Sequence, residues 1–214
     1  MTRLDPRSLG VYVVTSDGLA PGRGPREVAV AAIAGGATAV QLRAKEVGDG
    51  DLTPLAEELA ARCRVAGVLF VVNDRVEVAL ASGAAGVHVG QSDELADVRE
   101  RVGPDVVLGV SVEDAEQAVA AEEAGADYLG VTVWSTPTKP DARPRGLEGI
   151  REVVGATSLP VVGIGGIGAS NAAEVLAAGA AGVAMVSAIG AAEDPVAATR
   201  LLAEVVDRWK AAQP

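Results

Sequence analysis

Gln41, Arg43 and Lys45 stand at alternate positions in the run Gln-Leu-Arg-Ala-Lys. Alternate residues of an extended chain project to one side, so an amide, a guanidinium fork and an ammonium would face together while Leu42 and Ala44 face away. That trio suits a polyanion such as a diphosphate. The other reading of the same residues is a solvated strand end with paired surface charges. Asn73-Asp74 and Asp93 fall at the ends of two runs expected to be neighbouring strands, where two carboxylates would share one hard cation. Magnesium takes oxygen ligands, keeps several waters and joins one or two carboxylates to substrate phosphates; manganese would substitute. Alternatively, Asp74 pairs with Arg75 or another arginine, and Asp93 caps a helix beginning near Leu95.

Residues 162–168, Val-Gly-Ile-Gly-Gly-Ile-Gly, precede Ser170-Asn171 and offer free backbone N–H groups for a phosphate, completed by Ser187-Ala188 further on. Glycine also serves tight packing, so the run alone does not decide. His88 is the only histidine, which excludes a histidine-pair metal site or a histidine-based dyad, and it reads as a hydrogen-bonded residue of the interior or rim. Cys63, the only cysteine, rules out an intrachain disulfide and reads as packing. No Gly-x-Ser-x-Gly elbow is present.

The elements that must position these groups follow from period. β-Branched runs predict eight strands at about residues 10–15, 39–43, 69–73, 86–89, 107–111, 128–133, 160–163 and 182–186. Helical spacing fills the intervals, for example at 52–65, 114–124, 171–178 and 195–208. Gly-Ala recurs at residues 36, 83, 125 and 179, each time after a helical stretch and before a strand, where glycine closes a helix in the left-handed conformation. Eight strand-helix units in 214 residues predict one closed (β/α)8 barrel, a TIM barrel spanning residues 1–214, with its site at the C-terminal ends of the strands. A dinucleotide-binding open sheet would need Gly-x-Gly-x-x-Gly after the first strand, and none is there. Residues 135–145, with Pro137, Pro140 and Pro144, read as a long loop after the sixth strand.

Charge and composition exclude other classes. The 29 acidic residues against 18 Lys plus Arg give a net charge of -11, the wrong sign for tracking a phosphate backbone, and 2% aromatics leave no stacking platform for single strands. Nucleic acid is therefore not an expected partner, and with no run of eighteen apolar residues a membrane is not expected either. Anionic small molecules would need the local cations to overcome long-range repulsion, so their binding is expected to be salt-sensitive. A single cysteine and the lack of a secretory apolar segment near the start suggest the cytoplasm. Ala- and Gly-rich outer helices are compatible with a homo-oligomer.

Seven blocks in order carry a resemblance: Gln41-Leu-Arg-Ala-Lys45, Val72-Asn-Asp-Arg-Val76, Gly86-Val-His-Val-Gly-Gln-Ser-Asp93, Leu108-Gly-Val-Ser111, Thr136-Pro-Thr-Lys-Pro140, Gly163-Ile-Gly-Gly-Ile167 and Val186-Ser-Ala-Ile189. Over nearly its whole length the chain resembles the thiamine phosphate synthase family. The resemblance implies a transferase that joins 4-amino-2-methyl-5-(diphosphooxymethyl)pyrimidine to a thiazole phosphate, commonly its carboxylated form, giving thiamine phosphate and diphosphate. It implies that Gln41, Arg43, Lys45, Asn73, Ser111 and Lys139 contact the pyrimidine diphosphate, with Arg43, Lys45, Lys139 and Ser111 serving catalysis. Asp74 and Asp93 would hold magnesium, and Thr136, Pro137, Thr138, Gly166, Val186 and Ser187 would hold the thiazole phosphate. The implied route is dissociative, with diphosphate leaving before the thiazole nitrogen attacks. Two positions depart from the family pattern: Ala44 stands where the block usually has glutamate, and residues 130–135 are one residue shorter than the usual Gly-Pro-aromatic entry to the loop. A thiazole tautomerase or regulatory relative of the same barrel is the alternative, but it would not need Arg43, Lys45, Asp74, Asp93 and Lys139 together.

Overall fold

The structure, a computed structural model, describes residues 4–90, 94–136 and 143–213. Parallel strands β1 (Val11–Val14), β2 (Ala39–Leu42), β3 (Leu69–Asn73), β4 (Gly86–Val89), β5 (Val107–Ser111), β6 (Tyr128–Thr132), β7 (Val161–Ile164) and β8 (Gly182–Met185) form a closed barrel in sequence order. The closing seam pairs Val11 with Val183 and Val13 with Met185. Outside lie α1 (Pro25–Ala34), α2 (Asp49–Ala66), α3 (Val76–Ser82), α4 (Leu95–Val102), α5 (Ala115–Glu123), α6 (Gly146–Ala156), α7 (Ala172–Ala177), α8 (Ser187–Gly190) and α9 (Pro195–Ala211). This is the (β/α)8 barrel that the strand count predicts. Among the described residues, no helix is long and apolar enough to cross a membrane.

The observed bounds of β1, β2, β6, β7 and β8 differ from the expected ones by one residue at one end or both, while those of β3, β4 and β5 coincide. β7 begins at Val161 and not at Pro160, because proline has no N–H for the ladder. α2 starts at Asp49, ahead of its apolar stripe, since Asp49 and Asp51 in its first turn suit the positive end of the helix dipole. α8, a single turn directly after β8, is too short to show a period and is not predicted.

Alternation along each strand sorts residues into two layers. Val11, Val13, Val40, Leu42, Phe70, Val72, Val87 and Val89 face outward and pack beneath the helices. Tyr12, Val14, Ala39, Val71, Tyr128, Val162 and Ala184 face inward and fill the barrel. Continuing the inward set upward brings Gln41, Asn73, His88 and Ser111 to the top of the barrel, so the register that buries the core also aims the polar groups. The repeated Gly-Ala pairs have the expected cause: Gly36, Gly83, Gly125 and Gly179 adopt φ of 91, 65, 87 and 107°, and each chain segment then turns into a strand.

Candidate functional site

A cavity of about 720 Å³ opens at the C-terminal ends of the strands. Gln41, Arg43, Lys45, Asn73, Asp74 and Ser111 line one part of it, and Thr136, Gly166, Val186 and Ser187 line another. Thus all the site residues anticipated from sequence that fall among the described residues share one cavity. Asp93, Pro137, Thr138 and Lys139 lie outside the described residues.

The cationic side is built by β2 and its neighbours. Gln41 is buried and Arg43 half-buried, while Leu42 and Ala44 sit in the layer beneath the helices, as alternation requires. The chain stays extended past β2 because buried Thr15 holds it: its Oγ1 accepts from the Arg43 amide at 2.9 Å and donates to the Arg43 carbonyl at 3.1 Å. The Arg43 guanidinium donates to Ser16 Oγ at 3.2 Å. Just beyond β3, at the start of α3, Arg75 pairs with Asp49 and reaches the carbonyls of Ala44 and Lys45, each at 3.4 Å, tying down the segment that carries Lys45. Arg75 thus serves Asp49 and the Lys45 loop. Ala44, the position where the family block usually has glutamate, faces away from the cavity into the core.

Asp74 is an exposed carboxylate on the cavity wall and, among the described residues, the only non-glycine with positive φ, at 62°. Its amide donates to the His88 carbonyl at 2.8 Å, which fixes it between β3 and β4, and Asn73 Nδ2 donates to its Oδ2 at 2.6 Å. A non-glycine residue in the left-handed region is uncommon, aspartate being one of the few that enter it readily, and such positions cluster at binding sites.

The opposite wall is the turn after β7. Gly165 and Gly166 have φ of 94 and 66°, and both are pressed against Trp134: a Cβ on Gly165 would lie 2.6 Å from the Trp134 carbonyl oxygen, and one on Gly166 would lie 3.0 Å from Trp134 Cβ. Trp134 N–H in turn donates to the Gly165 carbonyl at 3.3 Å, so the loop after β6 and the glycine turn form one packed unit. The expectation that the whole run 162–168 offers free amides is narrowed, because the Gly168 amide donates to Asn171 Oδ1 at 2.9 Å. We expect Gly165→Ala to destabilise the fold by about 2 kcal/mol, read from urea unfolding, through combined backbone strain and collision with Trp134. An unchanged unfolding midpoint would show that the turn tolerates a side chain. Ser187 opens α8, whose far end is clamped by Arg23 through the carbonyls of Gly190 at 3.2 Å, Ala192 at 2.5 Å and Glu193 at 3.2 Å.

Beneath the cavity runs a polar row that sequence reasoning missed. Gln41 Nε2 donates to Tyr12 Oη at 2.8 Å; Tyr12 Oη meets Tyr128 Oη at 2.8 Å; Tyr128 Oη meets His88 Nδ1 at 2.9 Å; and His88 Nε2 meets Ser111 Oγ at 3.0 Å. His88 is therefore the hydrogen-bonded interior residue expected, but the exclusion of a histidine dyad fails, since a serine-histidine pair needs only one histidine. Tyr12 and Tyr128 are fully enclosed, and burial pushes both phenols well above their ordinary pKa, so they are neutral donors. Their inward alternation on β1 and β6 was the signal that would have found them. Arg143, at the return of the loop after β6, adds a cation to the cavity wall and was also missed. Cys63 is buried packing, as read, and burial pushes its thiol up to about 11.

A closed (β/α)8 barrel with cations, amides, hydroxyls and a glycine turn gathered around a cavity at the C-terminal ends of its strands is the architecture of a barrel enzyme for small molecules. The thiamine monophosphate synthase family model matches residues 11–189. The chain belongs to this family, whose members are transferases. It is 50% identical over 199 residues to a thiamine-phosphate synthase of Roseiflexus sp. (strain RS-1), a match covering 92% of this chain and 84% of that one. With a thiamine-phosphate synthase of Moorella thermoacetica the identity is 48% over 201 residues, covering 92% and 96%. Among solved structures, a thiamine phosphate pyrophosphorylase from Pyrococcus furiosus superimposes with a TM-score of 0.88 at 40% identity, covering 95% of this chain and 98% of that one.

Proposed function

We propose that the reaction of this family takes place in the rim cavity: 4-amino-2-methyl-5-(diphosphooxymethyl)pyrimidine and a thiazole phosphate, or its carboxylated form with loss of carbon dioxide, combine to thiamine phosphate and diphosphate. The observation that carries this reading is the pairing, in one cavity, of a cationic wall (Arg43, Lys45) with a glycine-serine wall (Gly166, Ser187). Two anionic substrates that must meet need two such walls facing a common space.

The bond from the pyrimidine methylene to the diphosphate oxygen breaks, and its electron pair departs with diphosphate. Arg43, Lys45 and Lys139 neutralise the charge that grows on the leaving group, while Gln41, Asn73 and Ser111 hold the pyrimidine diphosphate in place. The aminopyrimidine stabilises the resulting methylene cation, and the thiazole nitrogen lone pair forms the new carbon–nitrogen bond. Thr136, Pro137, Thr138, Gly166, Val186 and Ser187 position the thiazole phosphate for that attack. No protein nucleophile or strong base is required.

Magnesium fits the donors on the cavity wall. Asp74 offers carboxylate oxygen beside the cationic wall, and a hard cation that completes its shell with water and substrate phosphate needs only one or two such ligands. Asp74 and Asp93 would hold it, and its chemistry there would be to neutralise the leaving diphosphate. The partners are small molecules, and a single buried thiol suits the reducing cytoplasm.

Ser187→Asp tests the assignment of the two walls by placing like charge where the thiazole phosphate is read to sit. The KM for the thiazole phosphate is expected to rise about tenfold or more, equivalent to ~1.4 kcal/mol, with the KM for the pyrimidine diphosphate little changed. An unchanged KM for the thiazole phosphate would remove Ser187 from the site.

A further inference from the structure

The row Gln41–Tyr12–Tyr128–His88–Ser111 crosses the barrel through five strands, β2, β1, β6, β4 and β5. Room for it is built into the backbone. A Cβ on Gly109 would lie 2.1 Å from Tyr128 Cζ, and one on Gly130 would lie 3.2 Å from His88 Cε1. The first of these distances is one that no side chain tolerates, so Gly109 leaves the space that the Tyr128 ring occupies.

Each phenol carries one proton, so the direction of any one link sets the direction of the whole row. With Gln41 Nε2 placed toward Tyr12 Oη, the Tyr12 proton goes onward to Tyr128. Tyr128, having accepted, donates to His88 Nδ1, which leaves the imidazole proton on Nε2. That N–H donates to Ser111 Oγ, and the Ser111 hydroxyl proton is then turned outward to the cavity that Ser111 lines. The opposite sense would require Gln41 to offer its carbonyl oxygen to Tyr12, would place the imidazole proton on Nδ1, and would have Ser111 donate into the ring and present only lone pairs to the cavity.

We propose that the row runs in the first sense and that its purpose is to present Ser111 as a hydrogen-bond donor to an anionic oxygen of the bound diphosphate ester, with Tyr128 and His88 as positioning residues. A site for anions gains from a donor and loses from a lone pair, which is why the first sense suits this cavity. The proposal rests on the reading of Ser111 as a contact of the pyrimidine diphosphate.

Because the chain has one histidine, nitrogen-15 labelling of histidine gives a single pair of ring signals from the intact protein. The expected spectrum at neutral pH has a protonated Nε2 and an unprotonated Nδ1; any proton on Nδ1 in the unmodified protein overturns the proposal. Tyr128→Phe, which removes the donor to Nδ1 with little change of shape, is expected to give a mixture of the two tautomers and to raise the KM for the pyrimidine diphosphate about tenfold. In a Ser111→Ala background the same change is expected to cost nothing further. Equal effects in both backgrounds would overturn the positioning role. An unaltered KM for Ser111→Ala alone, with the Nε2–H tautomer intact, would instead locate the failure in the reading of Ser111 as a substrate contact, and the presenting role would fall with it.

Discussion

Arg43→Met is expected to lower kcat/KM by about 10³-fold, equivalent to ~4 kcal/mol of transition-state stabilisation, while leaving the unfolding midpoint close to that of the parent. Arg43 is the half-buried member of the cationic wall, and its guanidinium is oriented by Ser16 Oγ at 3.2 Å, so it faces the cavity without searching for a rotamer. A fork so held neutralises a departing diphosphate without reorganising when charge develops, which is where preorganised donors act most strongly. The fold should survive because the backbone contacts with Thr15 do not involve the side chain, and Leu42 and Ala44 pack on the other face. The measurement is steady-state kinetics beside thermal unfolding. A loss of less than tenfold with the midpoint unchanged would contradict the assignment of the leaving group to this wall.

Asp74→Asn separates charge from backbone. Asparagine adopts the left-handed conformation readily, so the φ of 62° is kept, whereas Asp74→Ala would add strain of its own. The Asn73 and His88 contacts fix the position, and only the carboxylate charge is lost. Activity should fall about 10²-fold or more, and the magnesium concentration giving half-maximal rate should rise. Full activity of Asp74→Asn in metal-depleted buffer would sink the magnesium assignment.

The barrel was legible because its elements repeat. Each strand is a short Val-rich run, each Gly-Ala pair closes a helix, and both signals are local. The cationic wall was legible for a related reason: alternation along one extended segment makes Gln41, Arg43 and Lys45 neighbours without any long-range information. What pins that segment was not. Thr15 lies 28 residues from Arg43, and Arg75 is 26 residues from Asp49, so these ties exist only after the strands pair. The interior row escaped for the same reason. Tyr12 and Tyr128 are 116 residues apart, and each alone reads as core; only closure of the barrel makes a polar row of them. The turn after β7 was read from its glycines as a phosphate cup, but the reason for two adjacent glycines also includes Trp134, which belongs to another loop. The serine-histidine contact was lost by treating one histidine as too few, when the partner needed was a hydroxyl on the next strand.

The measurement that tests the central claim most directly is the product balance when the protein is mixed with both substrates and magnesium. The expected result is thiamine phosphate and diphosphate appearing in equal amounts, only when both substrates are present. Diphosphate release without thiamine phosphate, or no turnover while each substrate binds, would contradict a cavity that brings the two reacting centres together.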